Sequence, residues 1–98
     1  MVSDSPQDED ASLAASFGKC VTRHREAAGV SMSELAKAAG MSRAYLWRLE
    51  QGDTLPGLRN VARLSVALGV PVSRLTEGLD TSGMDLRNRP YRTGDDAP

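Results

Sequence analysis

The chain has 98 residues, 26% of them charged, and a formal net charge of −1, which is enough for one small domain. Its four aromatic residues, Phe17, Tyr45, Trp47 and Tyr91, leave the core to Ala, Val, Leu and Met, a composition that favours closely packed helices over a β-sandwich. The single Cys20 excludes an intramolecular disulfide, and neither a membrane-spanning run nor a signal peptide is present, so the setting expected is cytoplasmic.

Residues 1–11 carry Asp4, Asp8, Glu9 and Asp10 with no base and no apolar periodicity, and read as a disordered acidic tail. From there Leu13, Phe17, Cys20, Val21 and Ala28 recur at helical spacing, with Ser12 as N-cap and Gly29 as stop. A second helix opens at Ser31, where Ser31 and Glu34 have the spacing of a capping box. It turns Leu35, Ala36 and Ala39 inward and ends at Gly40. Ser42 caps a third helix running to about Gln51, with Gly52 closing it. Pro56 marks a loop, after which Leu58, Val61, Leu64, Ser65 and Leu68 form a fourth amphipathic helix stopped by Gly69. Pro71 suits the first turn of a short fifth helix carrying Val72 and Leu75 and ended by Gly78. Residues 80–98 hold turn formers and charges without a sustained face and read as a flexible tail. The predicted domain, residues 12–79, holds nine Lys/Arg against five Asp/Glu, a balance of +4 hidden by the acidity outside it.

Within that domain, residues 31–52 have the spacing of a helix-turn-helix. A small residue, Ala36, faces the second helix; Gly40 accepts a left-handed backbone in the turn; Leu46 plugs the second helix onto the first. This arrangement points to DNA binding.

Further residues fit one pattern. Arg25 and Gly29 precede the motif; Leu35-Ala36 and Gly40 belong to its first helix; Ser42, Leu46, Arg48-Leu49-Glu50 and Gly52 to its second. Pro56, the run Ala67-Leu68-Gly69-Val70, and Leu75 follow. Residues 17–79 thereby resemble the Xre, or lambda-repressor-like, helix-turn-helix family. The resemblance implies an all-α, compact five-helix DNA-binding domain whose third helix reads the major groove of double-stranded DNA. By position, Arg43, Ala44 and Arg48 face bases, with Trp47 beside them at the groove. Arginine suits guanine O6 and N7, and the Ala44 methyl suits a thymine methyl. Phosphate contacts are expected from helix N-termini at Ser31, Met32 and Ser33, at Ser42, and at Gly57 and Leu58, with Arg25 also in reach. The family pattern pairs Arg25 with Glu50 as a structural lock. Relatives often carry Gln where this chain has Met32 and a base where it has Asp53. Both departures weaken DNA binding, and dimerisation offsets the loss. Val70, Val72, Leu75 and Leu79 are the dimer-interface candidates, some of which must instead be ordinary core.

Plainer readings stand beside these. Trp47 folded against the Arg43 stem is as good a reading as Trp47 in contact with sugar-phosphate, another subunit or a partner. Tyr45 is expected along the domain edge. Cys20 and His24 share a helix face, but a buried thiol beside a partly exposed imidazole is the expectation, with no metal or other cofactor. No residue set is arranged for catalysis, so the chain is not expected to be an enzyme. The leading function is a sequence-specific transcriptional regulator, a dimeric repressor in a bacterial or phage setting. The alternative is an antitoxin or adaptor of the same fold whose residues 80–98 bind a protein partner.

Overall fold

A computed structural model describes residues 8–84 and Leu86. The expectations for residues 1–7, 85 and 87–98, including most of the partner-binding tail, lie outside the described residues. A 3-10 turn over Asp8–Asp10 leads into α1 (Ala11–Ala28), followed by α2 (Met32–Ala39), α3 (Arg43–Glu50), α4 (Leu58–Leu68) and α5 (Val72–Leu75). There is no strand among the described residues, and no helix is long and apolar enough to cross a membrane. The fold is all-α, with five α-helices among the described residues, as the sequence pattern implies.

Each helix contributes a short apolar stripe to one core. Phe17, Cys20 and Val21 come from α1; Leu35, Ala36 and Ala39 from α2; Leu46 and Leu49 from α3; Val61 and Leu64 from α4; and Leu75 from α5. Five of the leucines, with Val21 and Cys20, are essentially sealed from water. Burying a leucine-sized side chain contributes roughly 1.5–3 kcal/mol, so these stripes set how the helices pack. α3 lies against α1 and α2, while α4 packs on α2 and α5.

Local chemistry fixes most helix ends. The Ser31 side chain accepts from the Glu34 amide at 3.0 Å and the Glu34 carboxylate accepts from the Ser31 amide at 2.7 Å, a complete capping box. Ser42 Oγ accepts from the Tyr45 amide at 3.0 Å and starts α3. Between the two helices Gly40 adopts φ +70°, and the Met41 amide returns to the Ala36 carbonyl at 2.9 Å. A residue with a side chain is strained in that conformation, which is why the turn has glycine.

The structure corrects several boundaries and burials. α1 starts at Ala11 with Asp10 at the N-cap, so Ser12 is inside the helix rather than capping it. The backbone of Asp10 is already helical, and the preceding 3-10 turn feeds α1 directly. Residues 8–11 are thus part of the folded unit rather than of a disordered tail. At the other end the Asp80 amide donates to Ser16 Oγ at 3.0 Å and Gly83 sits against the Glu9 carbonyl, so packing continues past residue 79. The buried face of α1 ends at Val21, leaving Ala28 exposed. Leu58, expected on the inner face of α4, is 77% exposed. Helix side chains tilt towards the N-terminus, and a first-turn residue therefore projects past the helix end. Pro71 precedes α5 as its N-cap instead of lying in its first turn.

Candidate nucleic-acid interface

The chemistry of α3 divides along its two faces. Leu46, Leu49 and Glu50 are buried; Arg43, Ala44 and Trp47 are exposed, and Arg48 is half-buried. The last four recur at positions i, i+1, i+4 and i+5, which a helix gathers on one side. Trp47 is 48% exposed, an unusual position for the largest apolar side chain of the domain. Arg48 lies over the Tyr45 ring, 6.0 Å from its centroid, and Tyr45 packs on the edge of the core.

The inner face is held by a polar lock. Arg25 Nε donates to Glu50 Oε2 at 2.7 Å and Nη2 donates to Oε1 at 3.1 Å, while Nη1 donates to the Val30 carbonyl at 3.1 Å. The two side chains are 15% and 3% exposed. Thr22 Oγ1 lies 3.0 Å from Glu50 Oε1 and also 3.0 Å from the Gly18 carbonyl, so its single proton is shared between them. Hydrogen bonding to Glu50 holds the Arg25 guanidinium above its ordinary pKa, against the opposing effect of burial. With all three nitrogens engaged, Arg25 braces the scaffold.

α1 approaches the end of α3 through Gly18. A Cβ there would lie 2.5 Å from the Leu49 carbonyl oxygen and 2.7 Å from that of Glu50. The residue after α3 is equally close-set: Gly52, at φ +80°, would place a Cβ 2.9 Å from Ala15 Cα. Neither contact is expected from sequence spacing, although an isolated glycine inside an amphipathic helix is the signal that marks such close approaches. Thr22 and Asn60, which respectively bond Glu50 and Tyr45, carry no comparable signal.

The residues expected at phosphates are placed unevenly. The Ser31 amide is committed to Glu34, whose carboxylate already occupies the positive end of α2. Those bonds hold the Glu34 carboxyl below its ordinary pKa. Met32 is half-buried against the core, and Ser33 is exposed. Ser42 is exposed at the start of α3. Gly57 begins α4 without a side-chain cap, so the first-turn amides beside the exposed Leu58 and Arg59 have no such partner.

Among the dimer candidates, Leu75 is fully buried and belongs to the core of the single chain. Its place in α5 turns it towards α1 and α4, which leaves nothing for a second copy to touch. Val70 and Leu79 are half-buried against the same core, and Val72 is 36% exposed. Cys20 is buried, with burial raising its thiol pKa, and His24 is half-buried. No cluster of three His, Cys, Asp or Glu suited to a metal exists among the described residues.

Comparison with known proteins places this geometry in a family. The helix-turn-helix domain family matches residues 16–83. The HTH-type transcriptional regulator SinR of Bacillus licheniformis is 32% identical over 70 residues, 70% of this chain and 63% of that protein. The chain therefore spans somewhat less than two thirds of that regulator. Among solved structures, the restriction-modification controller protein C.AhdI from Aeromonas hydrophila is 31% identical with a TM-score of 0.62, covering 63% of this chain and 94% of that one. The biofilm master regulator SinR, solved in complex with DNA, is 33% identical with a TM-score of 0.57, covering 60% of this chain and 95% of that one. With its braced third helix and a match over most of its length, this chain belongs to the helix-turn-helix domain family, in its Xre, lambda-repressor-like form.

Proposed function

We propose that the protein is a sequence-specific regulator of transcription that binds double-stranded DNA, with α3 in the major groove. The observation that carries this reading is the division of α3. Its back is fixed by Leu46, Leu49 and the Arg25–Glu50 pair, while Arg43, Ala44 and Trp47 are exposed, with Arg48 half-buried beside them. Reading base edges requires a helix held rigidly enough to keep register, with side chains of defined hydrogen-bonding pattern on its free side. The relative SinR was solved with DNA bound, which supports the same use of the fold.

On this reading Arg43 and Arg48 donate to guanine O6 and N7, and Ala44 meets a thymine methyl. Trp47 lies along the sugar-phosphate wall. Ser33, Ser42 and the first turn of α4 at Gly57 and Leu58 hold phosphates; Ser31, with its amide capped by Glu34, contributes only its hydroxyl. The protein works as a cytoplasmic homodimer, with Val72 leading the contact beside Val70 and Leu79, and represses by covering a promoter. It performs no catalysis and takes no cofactor.

The experiment is a binding comparison of wild type, Arg43→Ala and Arg48→Ala on a selected duplex and on each of its single-base-pair variants. Each arginine variant is expected to lose preference at one base pair, by about five- to 150-fold for a bidentate contact of 1–3 kcal/mol. Equal losses on every duplex, with a shallower salt dependence, would reduce both residues to phosphate contacts and refute the base-reading role.

A further inference from the structure

The face of α3 that carries Arg48 is tied to α4 through a residue that the function above does not use. Asn60 Nδ2 donates to Tyr45 Oη at 3.1 Å. Tyr45 has its ring packed on the core edge, and Arg48, three residues further along α3, has its guanidinium over that ring at 6.0 Å. Asn60 is well anchored for this purpose, since the next residue, Val61, is buried in the core.

We propose that Asn60 is a positioning residue for Arg48, acting through Tyr45, so that the base preference of α3 is set partly from α4. The proposal rests on Arg48 being a base contact. A bidentate contact to one base requires a narrow set of the many rotamers open to an arginine side chain. The Tyr45 ring offers the half-buried Arg48 guanidinium a surface that favours such a set before DNA arrives. The ring serves only if its own orientation is held. Core packing holds its inner edge, and the Asn60 bond holds the hydroxyl end. The hydroxyl accepts that bond and keeps its own proton free.

The strength of an exposed cation–π contact corresponds to about two- to five-fold in binding, which sets the size of the effect. The test measures competition between duplexes that differ at single base pairs, for wild type, Arg48→Ala, Asn60→Leu, Tyr45→Phe and the double Asn60→Leu/Tyr45→Phe. Arg48→Ala first identifies the base pair that Arg48 reads. Asn60→Leu is expected to reduce discrimination at that pair about two- to five-fold while leaving discrimination at the Arg43 pair at its wild-type value. Tyr45→Phe, which keeps the ring and loses the bond, is expected to match it, and the double variant to add nothing. Unchanged discrimination in both single variants overturns the proposal, as does an equal loss at every base pair, which would signal general loosening of α3. If Arg48→Ala itself alters no base-pair preference, the base-reading role of Arg48 fails, and the positioning role fails with it.

Discussion

Replacing Gly18 by Ala should destabilise this protein, although an alanine in a helix interior normally favours the helix by about 1 kcal/mol over glycine. The new Cβ would lie 2.5 Å from the Leu49 carbonyl oxygen and 2.7 Å from the Glu50 oxygen, and both obstacles are backbone. They cannot rotate away as a flexible side chain would. Restoring ordinary contact at about 3.4 Å requires α1 to retreat from α3 by roughly 0.9 Å. A gap of that size forfeits about a quarter to a half of the dispersion attraction between the atoms it separates. It also pulls Thr22 and Arg25 away from Glu50, with which both make bonds of 3.1 Å or less. Overpacking costs about 1–3 kcal/mol and the loosened hydrogen bonds of the lock about 1 kcal/mol more, so a net loss of about 2 kcal/mol remains after the propensity gain. In urea unfolding followed by circular dichroism, the midpoint should fall by about 2 M at a slope near 1 kcal/mol/M. A Gly18→Ala protein as stable as wild type, or more so, would refute the close approach of α1 to the end of α3.

Three further outcomes follow from the same contacts. Glu50→Ala leaves the Arg25 guanidinium, only 15% exposed, without its counter-charge and should cost about 3 kcal/mol by urea unfolding, whereas Arg25→Met/Glu50→Leu should recover much of it; a single-variant loss under about 1 kcal/mol would contradict the lock. Glu34 has its carboxyl pKa lowered in the fold by its bonds with Ser31, so its contribution is fully present above the ordinary glutamate value and disappears as pH falls through the lowered one. Glu34→Gln should therefore flatten the acid limb of a stability–pH curve, and an unchanged limb would rule out the capping box as its source. Cys20, buried and with its thiol pKa raised by burial, should react with a disulfide reagent at pH 8 far more slowly in the native protein than in urea, and equal rates would contradict its burial.

The parts of the fold legible in the sequence are those decided within a few residues. Ser31 with Glu34, Ser42, and the glycines at 29, 40 and 69 mark helix ends because capping chemistry is local. The inward residues of α2 and α3 follow from helical spacing. Pairings between distant segments are different. The Arg25–Glu50 pair was accessible only through the family resemblance, because nothing in the spacing of residues 25 and 50 brings them together. Thr22 and Asn60 become meaningful only when the fold brings them within hydrogen-bond reach of Glu50 and Tyr45 on α3. Leu75 shows the same limit from the other side: an apolar residue near the end of a domain can face its own core or a second copy, and its spacing is identical in either case. Leu58 was misassigned because periodicity describes the helix cylinder and ignores the tilt of side chains past its first turn. The outer side of α3 was legible because Arg43, Ala44 and Trp47 fall between its buried positions, with Arg48 half-buried beside them; what that side would touch came only from the family resemblance.

Whether α3 reads base sequence is decided by selecting binding sites from a randomised duplex library at near-physiological salt, where non-specific phosphate binding is weak. An enriched inverted repeat with guanine in each half is expected, the half-sites lying about one helical turn apart or a multiple of it. Those guanines should be lost when selection is repeated with Arg43→Ala or Arg48→Ala. A library that emerges without any enriched sequence, bound only in a generic and salt-sensitive manner, would contradict base reading by α3.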